Sequence, residues 1–145
     1  MKTLFLSICL FFSLQLSAQK YTTAVGLRFA NVGFTQLNAK RFLNANNAVE
    51  LSLGGSSNYV WIQGNYEWQE KLNNDFDYYL GLGPGLGMKS ANNEFMLGAN
   101  GVVGAEYTMK DYPFTFAFET GPYLQLIPNL RLGWNFGLSA RYVLP

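Results

Sequence analysis

From Leu130 to Val143 large apolar side chains alternate with small or polar ones. Leu132, Trp134, Phe136, Leu138, Ala140 and Tyr142 fall on one face, and Arg131, Gly133, Asn135, Gly137, Ser139 and Arg141 on the other. Successive side chains of a strand point to opposite sides of the sheet, so this two-residue period describes a strand with one apolar face. The pattern recurs in segments of roughly ten residues, separated by clusters of Asn, Asp, Ser, Lys and Pro. Eight segments are read this way: Tyr21 to Ala30, Gly33 to Phe42, Ala48 to Gly55, Asn58 to Trp68, Phe76 to Met88, Phe95 to Met109, Phe114 to Tyr123 and Leu130 to Val143. In the second, Phe34 and Phe42 share a register with Gln36, Asn38 and Lys40, so its two faces are the least distinct. After Gln19 every apolar run is broken within a few residues, and no membrane-spanning helix is expected. The expected fold is all-β, an eight-stranded antiparallel up-and-down transmembrane β-barrel.

With each apolar face assigned to the outside, nearly all mid-strand charges turn inward. Arg28, Lys40, Arg131 and Arg141 then stand against Glu50, Glu67, Glu106 and Glu119, a set that is neutral in sum. Eight strands enclose an interior only wide enough for side chains to fill, and an unpaired buried charge is costly. The expectation is therefore an ion-pair network that plugs the barrel, with no open pore. Inward glycines such as Gly81, Gly83, Gly85, Gly98 and Gly137 leave room for the long side chains.

The first 18 residues carry Lys2, an apolar run from Leu4 to Leu16 and small residues at Ser17 and Ala18, the pattern of a secretory signal peptide cleaved after Ala18. Residues 19–145 are then the barrel. The single cysteine, Cys9, lies within the apolar run, so the mature chain is expected to have neither a disulfide nor a reactive thiolate. An even number of antiparallel strands brings both termini to one side, expected to be the periplasm. Turns on that side are read at Asn44–Asn47, Gln69–Asp75 and Lys110–Pro113. Short outer loops are read near Asn31 and Ser56, at Lys89–Glu94 and at Gln125–Asn129. Two aromatic girdles are expected, Tyr21, Trp68, Phe76, Tyr107, Phe114 and Tyr142 at the periplasmic side and Phe29, Phe95, Tyr123 and Trp134 at the other. Pro84 removes a ladder hydrogen bond within a strand, which predicts a bulge there.

The segment NFGLSARY, Asn135 to Tyr142, resembles the terminal signal by which outer-membrane barrels are recognised for insertion. The matching positions are Asn135, Gly137, Ala140 and Tyr142, and the chain continues past them through Val143, Leu144 and Pro145. More broadly, KRFLNANNAVE, NYEWQ, YYLGLGPGLG and GLSARY resemble segments of short outer-membrane β-barrel-domain proteins, similar in architecture to OmpA- and OmpX-type barrels. The resemblance covers the whole mature chain. It implies a location in the bacterial outer membrane, contact with outer-membrane lipid and with the barrel-assembly machinery during insertion, and an envelope protein as the kind of partner. It implies no activity.

The chain has no histidine, which excludes a Ser-His-acid triad, and a metal site would need scattered carboxylates alone. No enzyme activity and no cofactor are expected. Acidic and basic residues nearly cancel, 9 against 10, so no nucleic-acid partner is expected either. The string Gly81, Gly83, Gly85, Gly87 lacks the spacing and following helix of a phosphate loop and reads as an inward strand face. Tyr59 and Trp61, inward with Gln63 near the outer mouth, read as packing beneath the loops, with a small stacking site as the competing reading. Arg41 reads either as a snorkelling contact to lipid phosphates or as a solvated rim charge. The alternative for the whole chain is a soluble periplasmic lipocalin-like barrel, which would turn the apolar set inward around an apolar ligand.

Overall fold

The computed structural model describes residues 21–32 and 34–145. The signal-peptide reading, with Cys9, falls outside these residues, as does Gly33. Eight strands follow one another: β1 Thr23–Ala30, β2 Phe34–Phe42, β3 Asn47–Ser56, β4 Tyr59–Lys71, β5 Phe76–Lys89, β6 Phe95–Thr108, β7 Phe114–Ile127 and β8 Arg131–Val143. Each pairs antiparallel with its neighbour in sequence, and β1 pairs with β8 from Ala24 opposite Val143 to Ala30 opposite Gly137, closing the barrel. Closure leaves no sheet edge, so the backbone groups of every strand find partners on both sides. The start of β1 and the end of β8 lie together at one end, here the terminal end. The opposite end is the far end.

Two strands run longer than the sequence pattern indicates. β4 continues to Lys71 because β5 supplies partners for it, Gln69 opposite Tyr79 and Lys71 opposite Asp77. β7 continues to Ile127, with Gln125 opposite Arg131. The intervening turns shrink accordingly and are built by short polar side chains folding onto their own backbone. Asn44 Oδ1 accepts from the Asn46 and Asn47 amides at 3.0 and 2.9 Å, and Asn73 Oδ1 accepts from the Asp75 and Phe76 amides, both at 2.9 Å. At the far end Ser56 Oγ and Asn92 Oδ1 accept from the Asn58 and Glu94 amides.

Pro84 makes no bulge. The β4–β5 ladder skips the stretch where Gly64 and Asn65 face Gly83 and Pro84, yet the register is the same on both sides of the gap. The same arrangement recurs in the β6–β7 ladder, where Gly101 and Val102 face Gly121 and Pro122. Proline has no N–H to donate, and each of these two prolines faces a glycine on the preceding strand. A Cβ at Gly83 would stand 1.7 Å from the Gly64 carbonyl oxygen and one at Gly121 2.0 Å from that of Gly101. The close backbone crossings thus lie at Gly83 and Gly121, the residues before the prolines, whereas a Cβ at Gly64 or Gly101, opposite the prolines, would meet nothing nearer than 3.4 Å. The irregularity of the sheet lies elsewhere, between Leu97 and Gly98, where β7 gains one residue relative to β6.

The alternation sorts the side chains as the sequence indicates. Val25, Leu27, Leu37, Leu51, Leu80, Leu82, Phe116, Phe118, Phe136 and Leu138 are exposed on the outside, while charged and amide side chains are buried within. Edge-on ring pairs decorate the outer face near the terminal end, Tyr66 with Trp68 and Phe114 with Tyr142. Two aromatics assigned to the girdles are not on the outer face. Tyr21 is buried with its ring edge-on to Phe42, and Tyr123 turns inward against Trp61.

Candidate functional site: the barrel interior

The inward strand residues that cluster around Arg141 near the terminal end come from six strands, β2 to β6 and β8, and their chemistry is dominated by charge. Arg141, near the end of β8, is the hub. Its Nη2 donates to Glu50 Oε2 at 2.5 Å, its Nη1 to Glu106 Oε2 at 2.9 Å, and its Nε to Asn38 Oδ1. Asn38 in turn donates to Glu50 Oε1 at 3.0 Å, which fixes the carboxylate from its second oxygen. Lys40 Nζ lies 2.7 Å from Glu67 Oε2 and donates to Gln69 Oε1 at 2.6 Å. Gln69 passes the chain on, donating to Asp77 Oδ2 and Glu106 Oε1 at 3.0 and 3.1 Å, and the Tyr21 hydroxyl donates to Glu106 Oε1 at 2.8 Å. Charge-assisted hydrogen bonds of this kind are the strong class, and their partners here are held on rigid strands.

A second pair joins the first through a ring. Arg28 reaches from β1 to Glu119 on β7 and donates through Nη1 to Gln36 Oε1 at 2.9 Å. Glu119 also accepts from the Tyr79 hydroxyl at 2.8 Å, and Lys40 Nζ sits 4.3 Å above the Tyr79 ring. Glycine makes this geometry possible. A Cβ at Gly137 would lie 2.9 Å from the Arg28 guanidinium, and one at Gly104 2.4 Å from the Tyr79 ring.

The structure therefore brings Arg28, Lys40, Glu50, Glu67, Glu106, Glu119 and Arg141 together, each no more than 1% exposed. Arg131 is the exception. It has the inward register, but as the first residue of β8 it stands at the far rim and is exposed. Sequence reasoning missed Asp77, which the same parity rule assigns inward at the second position of β5 and which is buried. The expected neutrality fails with these two changes: among the described residues the buried charged side chains are three cations and five carboxylates. Single carboxylate oxygens of Glu50, Glu67 and Glu119 lie within 4.8 Å of one another, close enough to hold a cation. Each already has Arg141, Lys40 or Arg28 against it, so the protein's own cations occupy that role.

Toward the far end the lining changes to amides and aromatics. Asn100 donates to Asn65 Oδ1 at 2.5 Å, and the buried Trp61 donates through Nε1 to Gln63 Oε1 at 3.3 Å. Trp61 lies on the glycine face of β5, where a Cβ at Gly85 would meet its ring at 2.2 Å, and its other flank is edge-on to Tyr123. The glycine string is thus the seat of an indole. Of the insertion-signal positions, Asn135 is buried, Gly137 receives Arg28, Ala140 faces outward, and Tyr142 packs outside on Phe114. No protein-family model, curated protein or solved structure matches the chain.

Proposed function

We propose that this chain is a small barrel of the bacterial outer membrane with a structural or envelope-interaction role, delivered by a signal peptide at residues 1–18 and recognised for insertion through its last strand. It is no enzyme, and its ion-paired interior forms no open pore. The observation that carries this reading is the inverted polarity of a closed sheet: charged residues are buried inside, while leucines and phenylalanines remain exposed around the outside. Apolar patches on soluble monomers rarely exceed a few hundred Å², whereas a lipid-facing barrel needs an unbroken apolar belt and internally satisfied backbone groups. The strands run from 8 residues in β1 to 14 in β5, which at the usual rise and tilt is roughly 20 to 35 Å along the barrel axis, against an apolar band of about 25 Å. A soluble barrel carrying an apolar ligand needs the opposite lining, and the interior charges and amides speak against it.

The test is fractionation of cells expressing the chain, followed by gel mobility in detergent with and without boiling. Recovery with the outer membrane and a band whose mobility shifts on heating are the expected results. A soluble periplasmic protein would overturn the membrane reading.

A further inference from the structure

Among the described residues two apolar grooves on the outer face stand for comparison, and one of them ends beside a cation with no hydrogen bond or ion pair. This groove, of about 520 Å³, runs over Ala39 between Val25 and Leu27 on one side and Leu51 and Leu53 on the other, with Leu37 above. Its floor is low because Ala39 is the small member of the row Val25, Ala39, Leu51, while the next row, Leu27, Leu37, Leu53, is bulky throughout. The next outward residue on β2 toward the terminal end is Arg41, exposed and, among the described residues, without a hydrogen bond or ion pair. By register, Arg41 and Glu70 are the outward-facing charges on the described strands. The second groove, of about 400 Å³, runs over Ala105 and Ala140 between Phe29, Phe116, Phe118 and Leu138, and no outward cation lies on its strands.

We propose that the groove over Ala39 and Arg41 is a site for one anionic membrane phospholipid, its acyl chain lying along Ala39 and its phosphate held by Arg41. This rests on the membrane reading above. A long arginine side chain next to an apolar slot lets its stem lie on apolar surface while the guanidinium reaches the headgroup level. The planar guanidinium then offers paired N–H donors to phosphate oxygens. The opposing Thr23 and Val49 carry no charge that would compete for it. Neither feature alone would select this lipid: the groove alone admits any acyl chain, and the cation alone any anion.

The experiment uses the full chain, folded in dodecyl maltoside and incubated with equal amounts of phosphatidylglycerol and phosphatidylcholine, with retained lipid counted by native mass spectrometry. The expected result is one retained phosphatidylglycerol, preferred about fivefold, the worth of one basic residue at an anionic lipid surface. Arg41→Gln is expected to abolish the preference and Ala39→Phe to abolish retention, while Ala105→Phe in the second groove leaves both unchanged. Glycerol phosphate in excess is expected not to compete, since it lacks the chain. Equal retention of the two lipids, retention that survives Ala39→Phe, or competition by glycerol phosphate would each overturn the site. Insertion into phosphatidylglycerol vesicles with a heat-shifted band, measured alongside, keeps the membrane reading standing when the site alone fails. A chain that does not insert takes both down.

Discussion

The two halves of the barrel interior solve the same packing problem with different chemistry. Near the terminal end the space is filled by long ionised side chains, and Arg141 alone touches Glu50, Glu106 and Asn38. Toward the far end it is filled by an indole on a glycine floor and by short amides, three of which have a polar atom with no hydrogen-bond partner: Gln63 Nε2, Asn100 Oδ1 and Asn135 Oδ1. The difference teaches where specificity sits. Burying a carboxylate is costly unless a cation or a donor stands against it, so the charged half ties Glu50, Glu106 and Glu119 to partners across the barrel, although Glu67 Oε1 there also lacks a hydrogen bond. The amide half is neutral, so an imperfectly paired group there costs far less than a stranded charge.

The sharpest way to break this comparison is to remove the hub. Arg141→Met leaves Glu50 and Glu106 without a principal partner and is expected to cost about 3–5 kcal/mol, read as a lower urea midpoint of the protein folded in detergent. An unchanged midpoint would mean that the charged half does not hold the fold. In the far half the expected effect is smaller and steric. Gly85→Ala pushes a methyl into the Trp61 ring and should cost about 1–3 kcal/mol, but should be nearly neutral in a Trp61→Ala background. A cost that persists without the indole would show that the glycine serves the backbone and not the ring.

The smallest effect lies at the solvent-exposed far rim. The Lys89 ammonium donates to Glu94 Oε2 at 2.6 Å and holds that carboxyl below its ordinary range. A carboxyl depressed in the folded state stabilises it above the unfolded value, and that contribution is lost as pH falls through the folded value. Carboxyl chemical shifts followed through an acid titration should place Glu94 below a free glutamate, and Lys89→Met should return it upward. No movement in Lys89→Met would mean that the pair is a static contact with no electrostatic consequence.

The strand count and the outward face were legible in the sequence because a two-residue period is local. Most of the eight segments announce their own inside and outside, the second least clearly because Phe34 and Phe42 share a register with Gln36, Asn38 and Lys40, and seven of the eight charges assigned inward are buried. Arg131 and Asp77 show the limit. Parity gives the side of the sheet on which a residue lies, but burial also depends on height along the barrel, and strand ends at the two rims are covered unequally. Tyr21 and Tyr123 were misplaced for a related reason, since an aromatic beside a strand end can close the interior as readily as it can face outward.

What the sequence determined by itself is thus the alternation, the turns built on Asn44 and Asn73, and the sorting of charge from apolar surface, all of which act within a few residues. Only the tertiary structure decided which charges meet. Arg28 with Glu119 and Arg141 with Glu50 are each 91 residues apart in the chain. Their pairing exists only once β1 has closed on β8, because closure brings opposite walls within reach of one side chain. The register of the β4–β5 and β6–β7 hairpins likewise decided what Pro84 and Pro122 face, Gly64 and Gly101, and it runs past Pro84 without a bulge.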